Sequence, residues 1–230
     1  MNESNSLIRV ILADDHAVVR AGIRLFLEQA GDIQVIGEAV DGEQAVEMIM
    51  QLMPDVAVLD IQMPKATGIE VTCEIRAKRL TLGVLILTSY DDDPYISAVL
   101  KTGANGYVLK TATPDEIINA VRDVHQGKSV LDSMILPKVF AKLSHPIQTP
   151  IFDSLSDYEI EILFLVAKGL TNKAIGNNQK ISDRTVQVHI AHIFEKLQMC
   201  SRTEAVMKGI SLGLIHLPEE PKEELIIFNN

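Results

Sequence analysis

The apolar positions in the first half of the chain fall into short, nearly continuous runs at 8–13, 33–37, 55–59, 84–87 and 106–109, rich in Val, Ile and Leu. Between them, apolar residues recur with helical spacing near 17–29, 42–52, 68–79, 92–102 and 113–126. The last of these helices carries its own start signal. Thr113 and Glu116 form a capping box, and Pro114 takes the first helical position. Strands apolar along their whole length are buried on both faces, and their alternation with helices predicts an α/β domain. The expected architecture is a five-stranded, doubly wound parallel sheet.

The pattern changes near residue 128. Val130, Leu131, Met134, Ile135, Val139, Phe140 and Leu143 suggest a helix packed on one domain, with Pro137 limiting or kinking it. The stretch 142–150 contains two prolines and no periodicity, and reads as a linker. An all-α region follows. Ser156 and Glu159 form a capping box ahead of Ile160, Leu163, Phe164 and Ala167, and Gly169 ends that helix. Thr171 opens a short helix that Asn177-Asn178 is expected to break. Ser182 caps a longer helix in which Val186, Ile190, Ile193 and Leu197 share one face. Ser201 and Glu204 open a last helix. Four helices, two joined by a short turn, fit a helix-turn-helix domain. The divisions are therefore 1–127, a linker at 128–150, 151–217 and an acidic tail at 218–230.

Composition sharpens this division. The 230 residues are 47% hydrophobic, which excludes wholesale disorder. No apolar run reaches the roughly 18 residues of a membrane span, and the N-terminus lacks signal-peptide character. A cytoplasmic protein with no membrane association is expected. Cys73 and Cys200 have no partner at metal-ligand spacing, which argues against a disulfide scaffold or zinc site. The net charge of −10 argues at first against nucleic acid. Its distribution removes that objection: residues 1–127 carry −9, 128–149 carry +2, 150–217 are neutral and the tail carries −3.

The informative polar residues sit at the C-terminal ends of the expected strands, where open α/β sheets bind ligands. These are Asp14, Asp15, Asp60, Thr88 and Lys110. Three converging carboxylates repel unless a divalent cation lies between them, and hard oxygen ligands suit Mg²⁺. Lys110 and Thr88 add a cation and a hydroxyl, which makes a site for a phosphoryl group on Asp60. His16, after the acidic pair, is assigned a non-catalytic role. Asp91-Asp92-Asp93 reads as a solvated helix cap.

Asp14-Asp15-His16, Asp60-Ile61-Gln62-Met63-Pro64 with Gly68, Leu87-Thr88-Ser89 and Tyr107-Val108-Leu109-Lys110 resemble the receiver domain of bacterial response regulators, a flavodoxin-like fold, over residues 7–127. The resemblance implies that a sensor histidine kinase phosphorylates Asp60. It implies that Asp15 binds Mg²⁺ directly, Asp14 mostly through water, and that the Gln62 backbone carbonyl completes the protein's share of the shell. Lys110 would neutralise the phosphoryl oxygens, Thr88 would move onto the phosphate and Tyr107 would change rotamer with it. The affected face comprises the helix at 92–102, the strand at 106–109 and the helix at 113–126. Such a domain is a switch, not a dedicated enzyme, although it can dephosphorylate itself. Thr111 stands where many receivers have Pro. Gln62 and Tyr90 occupy positions that resemble those setting phosphoryl lifetime.

Gly169-Leu170-Thr171-Asn172-Lys173, Ile181-Ser182, Thr185-Val186, His189, Lys196-Leu197 and Ser201-Arg202-Thr203-Glu204-Ala205 resemble the LuxR-type DNA-binding domain. Together the two halves resemble a NarL/FixJ-type response regulator. On helix 182–197 the face opposite the apolar stripe bears Arg184, Gln187, Val188, Ala191, His192 and Glu195. By resemblance, Gln187, Val188 and Ala191 approach base edges of double-stranded DNA. Lys173, Thr185, His189 and Lys196 hold phosphates or register. Gln187, His192, Tyr158, Ala174 and Gln179 depart from the common pattern. The losses at 187 and 158 remove positive charge, the loss at 174 removes a capping box and Gln179 weakens a core position. One copy is then expected to bind DNA weakly, with homodimerisation on phosphorylation compensating.

An alternative is a receiver whose C-terminal domain serves only protein contacts. A dedicated aspartyl-phosphate phosphatase is disfavoured because Gln62 replaces the second Asp such enzymes carry. A nucleotide-binding enzyme is disfavoured because no GxGxxG or GxxxxGK[ST] occurs. An acidic receiver is also charge-compatible with covering His189, His192, Lys173 and Lys196.

Overall fold

The computed structural model describes residues 7–89, 102–137, 154–199 and 201–216. The first domain runs β1 (Ile8–Ala13), α1 (Ala17–Gln29), β2 (Ile33–Ala39), α2 (Gly42–Leu52), β3 (Val56–Leu59), α3 (Gly68–Ala77), β4 (Gly83–Thr88), β5 (Gly106–Leu109), α4 (Pro114–His125) and β6 (Val130–Leu131). All strands pair in parallel, in the order β2-β1-β3-β4-β5-β6. The expected helix at 92–102 lies outside the described residues except for its last position; Tyr90, Asp91-Asp92-Asp93, Cys200, the whole 142–150 linker stretch and the tail at 218–230 lie outside them entirely.

Period-two alternation along the strands divides the core. On β1, Ile11 and Ala13 point into the cluster shared with Ile49, Val71 and Ile75. Val10 and Leu12 point into the opposite cluster with Ile23, Leu27 and Val121. Both faces are covered over the inner strands β3, β4 and β5, which are buried along their whole length, while Arg9 of β1 and Gln34 and Glu38 of β2 reach the outer edge.

Helix starts follow from local chemistry. Thr113 accepts from the Glu116 N–H, while Glu116 accepts from the Thr113 N–H at 2.7 Å. Thr67 and Glu70 build the same reciprocal box at α3. Each box satisfies two donors that a helix N-terminus leaves unpaired.

The expected helix at 130–143 does not begin at Val130. Val130 and Leu131 form a sixth, two-residue strand against β5, and 132–137 turn away from it. The physical reason is the open edge of β5. Gly127, at φ +79°, ends α4 and returns the chain to that edge, and β-branched Val130 pairs there. Asp132 then accepts the Leu109 N–H at 3.2 Å, and Ile135 is fully buried. Residues 138–143 lie outside the described set.

The second domain comprises α5 (Asp157–Ala167), α6 (Asn172–Gln179), α7 (Asp183–Leu197) and α8 (Arg202–Ser211). Ser156, Thr171, Ser182 and Ser201 cap the four helices. Val186, Ile190, Ile193 and Leu197 are all buried in its core. Asn177-Asn178 does not break α6, which continues to Gln179 and ends with Lys180 in the left-handed conformation. Two Asn residues lower helix propensity by only a fraction of a kcal/mol each, and packing of Ile175 outweighs that. Gln179 is not a weakened core position either. Its side chain reaches outward and donates to Glu161 at 2.9 Å.

The loop after β3 is fixed by a close approach. A Cβ on Gly68 would lie 2.3 Å from the Asp60 carbonyl oxygen, and the Gly68 N–H donates to the Ile61 carbonyl at 3.0 Å. Backbone atoms on both sides leave no room to shift. Gly68→Ala is expected to destabilise the first domain by about 1–3 kcal/mol, measured as a lower urea midpoint with unchanged slope.

Candidate functional site

Four strand ends and one loop converge. Asp14 follows β1 and is 1% exposed, Asp60 follows β3 and is 4% exposed, Thr88 closes β4 and Lys110 follows β5. Lys110 Nζ lies 2.7 Å from Asp14 Oδ2 and 2.8 Å from Asp60 Oδ2. Asp15 and His16 sit at the rim, with His16 Nδ1 2.7 Å from Asp15 Oδ1. Asp14, Asp15, His16 and Asp60 each offer a ligand atom, all within 4.8 Å of one another.

Two buried carboxylates facing one ammonium are undercompensated. At such spacing, like unit charges repel by roughly 3–4 kcal/mol at an effective dielectric of about 20. Burial pushes the Asp60 carboxyl up to about 6, against the pull of Lys110 and a Gln62 backbone N–H, with Asp14 adding to the rise. Burial opposes the charge on Lys110, but Asp60 and Asp14 outweigh it and raise its pKa. Asp60 Oδ1 is buried with no hydrogen-bond partner. An anionic oxygen in that position calls for a cation, and oxygen donors of this kind fit Mg²⁺.

The surroundings hold the cluster in place. The His16 N–H donates to Asp14 Oδ1 at 2.8 Å. Arg20 on α1 donates to the Asp14 carbonyl at 2.6 Å and to Glu38 at 3.0 Å. Arg20 was absent from the sequence reading, although it is the sole charge in the apolar start of α1. Thr88 is fully buried, and its carbonyl accepts the Lys110 N–H at 2.7 Å. Tyr107 is 1% exposed, with its ring inside the core. Peptide bonds among the described residues, Lys110-Thr111 included, are trans.

The expected DNA-contacting residues of α7 divide into groups. Lys173 on α6 and Arg184 are exposed. Thr185 is tied to the Ser182 cap, its N–H donating at 3.0 Å and the hydroxyls 2.7 Å apart. His189 stacks edge-on against Tyr158, with centroids 5.0 Å apart, and burial pulls its pKa down, as does His192, against Glu159. Lys196 is engaged by Glu159 at 2.8 Å, with Glu159 5% exposed. Lys196 thus joins α5 to α7, which fixes the register of α7 on its own domain. His192 is half-buried.

The face expected to meet bases lies against the first domain. Ala191 belongs to the apolar cluster that contains Ile61, Met63 and Ile69, and Val188 packs on that cluster. Gln187 Oε1 and Gln62 Nε2 are both buried without partners, and both residues line a cavity of about 740 Å³ between the domains. Glu70 ties the two domains across this seam. One of its oxygens caps α3, and the other accepts the Arg202 N–H at 3.3 Å with Arg202 Nε at 3.8 Å. Arg202 also donates to Asn172. Neither Glu70 nor Arg202 carried a sequence signal for this, because the contact joins residues 132 positions apart.

Comparison with known proteins follows the same division. Residues 10–122 match the response regulator receiver domain, and residues 153–208 match the bacterial regulatory proteins of the luxR family. The transcriptional regulatory protein LiaR of Bacillus subtilis (strain 168) is 41% identical over 202 residues, spanning 87% of this chain and 96% of LiaR. The crystal structure of the response regulator ChrA, of a heme-sensing two-component system, is 38% identical with a TM-score of 0.52, covering 91% of this chain and all of that one. A structure of two RcsB dimers bound to two parallel DNAs is 25% identical with a TM-score of 0.55, covering 92% and 100%.

Lys196→Met is expected to lower the stability of the second domain by about 1–3 kcal/mol, because it leaves the buried Glu159 carboxylate without its counter-charge. Burial opposes ionisation of Glu159, yet Lys196 and the Ser156 cap hold its pKa below the usual 4.5. The stabilisation is therefore complete above pH 4.5 and is lost as pH falls through that lowered pKa. Urea unfolding of wild type and variant should show a gap at pH 7 that closes toward strongly acidic pH.

Proposed function

This chain belongs to the response regulators that join a receiver domain to a LuxR-type DNA-binding domain, and from that membership we propose that phosphorylation of Asp60 switches its binding to double-stranded DNA. One observation carries the assignment: Asp60 is buried at the sheet edge with one oxygen on Lys110 and the other without a partner. The donor is a phosphohistidine of a sensor kinase. An Asp60 carboxylate oxygen attacks phosphorus, the phosphorus–nitrogen bond breaks, and the imidazole leaves with a proton from solvent. Asp15, Asp60 and the Gln62 carbonyl, with Asp14 mostly through water, would hold Mg²⁺, which when bound would supply charge neutralisation at the site. Lys110 neutralises a phosphoryl oxygen, and Thr88 at the end of β4 donates its hydroxyl to the product. Tyr107 responds from β5. The same groups permit slow self-dephosphorylation.

The unphosphorylated protein is held closed. In that state Gln187, Val188 and Ala191 face the receiver, and DNA cannot reach them. The closed seam runs along Gln62, Met63 and Glu70, which flank the phosphorylation loop, so a change at Asp60 acts on it directly. Released second domains pair as a homodimer, which presents two copies of α7 to the major groove. Gln187 reads an adenine edge, while Val188 and Ala191 touch thymine methyls. Lys173, Arg184, Thr185, His189, His192 and Lys196 form the surrounding face, with Lys173 and Arg184 the most accessible for phosphate. A role confined to protein contacts has no observation in its favour. No helix among the described residues is long and apolar enough to cross a membrane, and the DNA partner assigns the chain to the cytoplasm.

Acetyl phosphate with Mg²⁺ is expected to add the mass of one phosphoryl group to the wild type and none to Asp60→Ala. Phosphorylated wild type should then capture genomic DNA fragments as a dimer. Equal phosphorylation of Asp60→Ala by intact-mass spectrometry would remove Asp60 from its role.

Glu70→Gln keeps an acceptor for the α3 cap and removes the charge facing Arg202. It is expected to extend the unphosphorylated protein in small-angle scattering and to raise its DNA affinity by about 2–10-fold, on the scale of about 0.5–1.5 kcal/mol for one interdomain contact. An unchanged scattering profile and affinity would show that this contact does not hold the closed state.

A further inference from the structure

The carboxylate cluster contains one side chain that phosphoryl transfer to Asp60 does not use. His16 directly follows the acidic pair, and its backbone occupies the N-cap of α1 at φ −89° and ψ 101°. Its side chain makes no capping bond to the helix. Instead the His16 backbone N–H is anchored to Asp14 Oδ1 at 2.8 Å, and its imidazole Nδ1 lies 2.7 Å from Asp15 Oδ1 and 3.5 Å from Asp14 Oδ1. An imidazole two-thirds exposed to solvent, at 67%, is thereby held over the carboxylates. Independently, Asp60 is 96% buried and its Oδ1 has no partner, so a cation is called for at the point where the four ligand atoms converge.

Oxygen and nitrogen donors select different metals. Mg²⁺ takes oxygen ligands and keeps its waters, whereas first-row transition ions accept imidazole readily. We propose that His16 is a nitrogen ligand of this centre, so that Mn²⁺ and Co²⁺ bind through His16 Nδ1 together with the carboxylates, while Mg²⁺ takes the oxygens alone. The inference rests on the cation site proposed above. Without metal, the Nδ1–H donates to Asp15. On binding Mn²⁺, Nδ1 becomes the ligand and the proton resides on Nε2, which the exposed edge of the ring leaves in water. The Asp15 oxygen released from that hydrogen bond turns to the same ion. Access is open, because Asp15 and His16 both line the interdomain cavity.

The test uses the full, untagged chain with substoichiometric Mn²⁺ and pulsed electron paramagnetic resonance. Coupling of the manganese to an imidazole nitrogen is expected in wild type, with loss of that coupling in His16→Ala and retention in a His189→Ala/His192→Ala variant. Calorimetric titration of His16→Ala should weaken Mn²⁺ and Co²⁺ by at least about tenfold, the scale of perturbing one ligand shell, and leave Mg²⁺ affinity unchanged. The Mg²⁺ titration also reports that the variant is folded. Absence of nitrogen coupling for Mn²⁺ that Mg²⁺ displaces, its persistence in His16→Ala, or equal weakening of all three ions would overturn the role of His16. If Asp15→Ala and Asp60→Ala leave Mg²⁺ binding unchanged, the cation site itself is wrong, an outcome distinct from failure of the His16 ligand alone.

Discussion

The arrangement depends on Lys110 standing between Asp14 and Asp60. One ammonium within 2.8 Å of two buried carboxylates leaves the pair undercompensated at the edge of an apolar sheet. That imbalance is costly in the folded protein. Burial, with Asp14 adding to it, raises the Asp60 pKa, Oδ1 has no hydrogen-bond partner, and the cluster favours a cation. Only a rigid sheet can impose it. β1, β3 and β5 deliver the three groups from positions up to 96 residues apart, and their parallel register puts the charged residues at one edge.

The loops that serve this cluster also form the seam with the DNA-binding domain. Gly68 packs on the Asp60 carbonyl and begins α3, and two residues later Glu70 both caps that helix and faces Arg202. Gln62 lies between Asp60 and the apolar contacts of Met63 with the cluster that holds Ala191. Residues within a few positions of Asp60 thus make the interdomain contact.

Much of this was legible in the chain. The capping boxes at Thr113 and Ser156 obey local rules, and the structure builds them with the reciprocal hydrogen bonds those rules require. The acidic pair, Asp60, Thr88 and Lys110 were found because polar residues closing apolar strands stand out against their neighbours. Where the reading failed, a non-local partner decided the outcome. Val130 and Leu131 have the apolar spacing of a helix start, but the vacant edge of β5 makes them a strand. Asn177-Asn178 breaks helices on propensity alone, yet α6 persists because Ile175 is buried beneath it. Lys196 pairs with Glu159, 37 residues earlier, a contact that no local pattern marks.

Sequence by itself determined the two architectures, the polar residues that converge at the sheet edge and the long helix of the second domain. Each of these rests on local periodicity, capping or residues at strand ends. Tertiary structure alone decided how charge is shared among Asp14, Asp60 and Lys110, which oxygen is left unpartnered, and that the face of α7 bearing Val188 and Ala191 is covered by the receiver. The reason is distance along the chain. Electrostatics and packing act between groups close in space, and no pattern within either segment encodes which distant segment will lie against it.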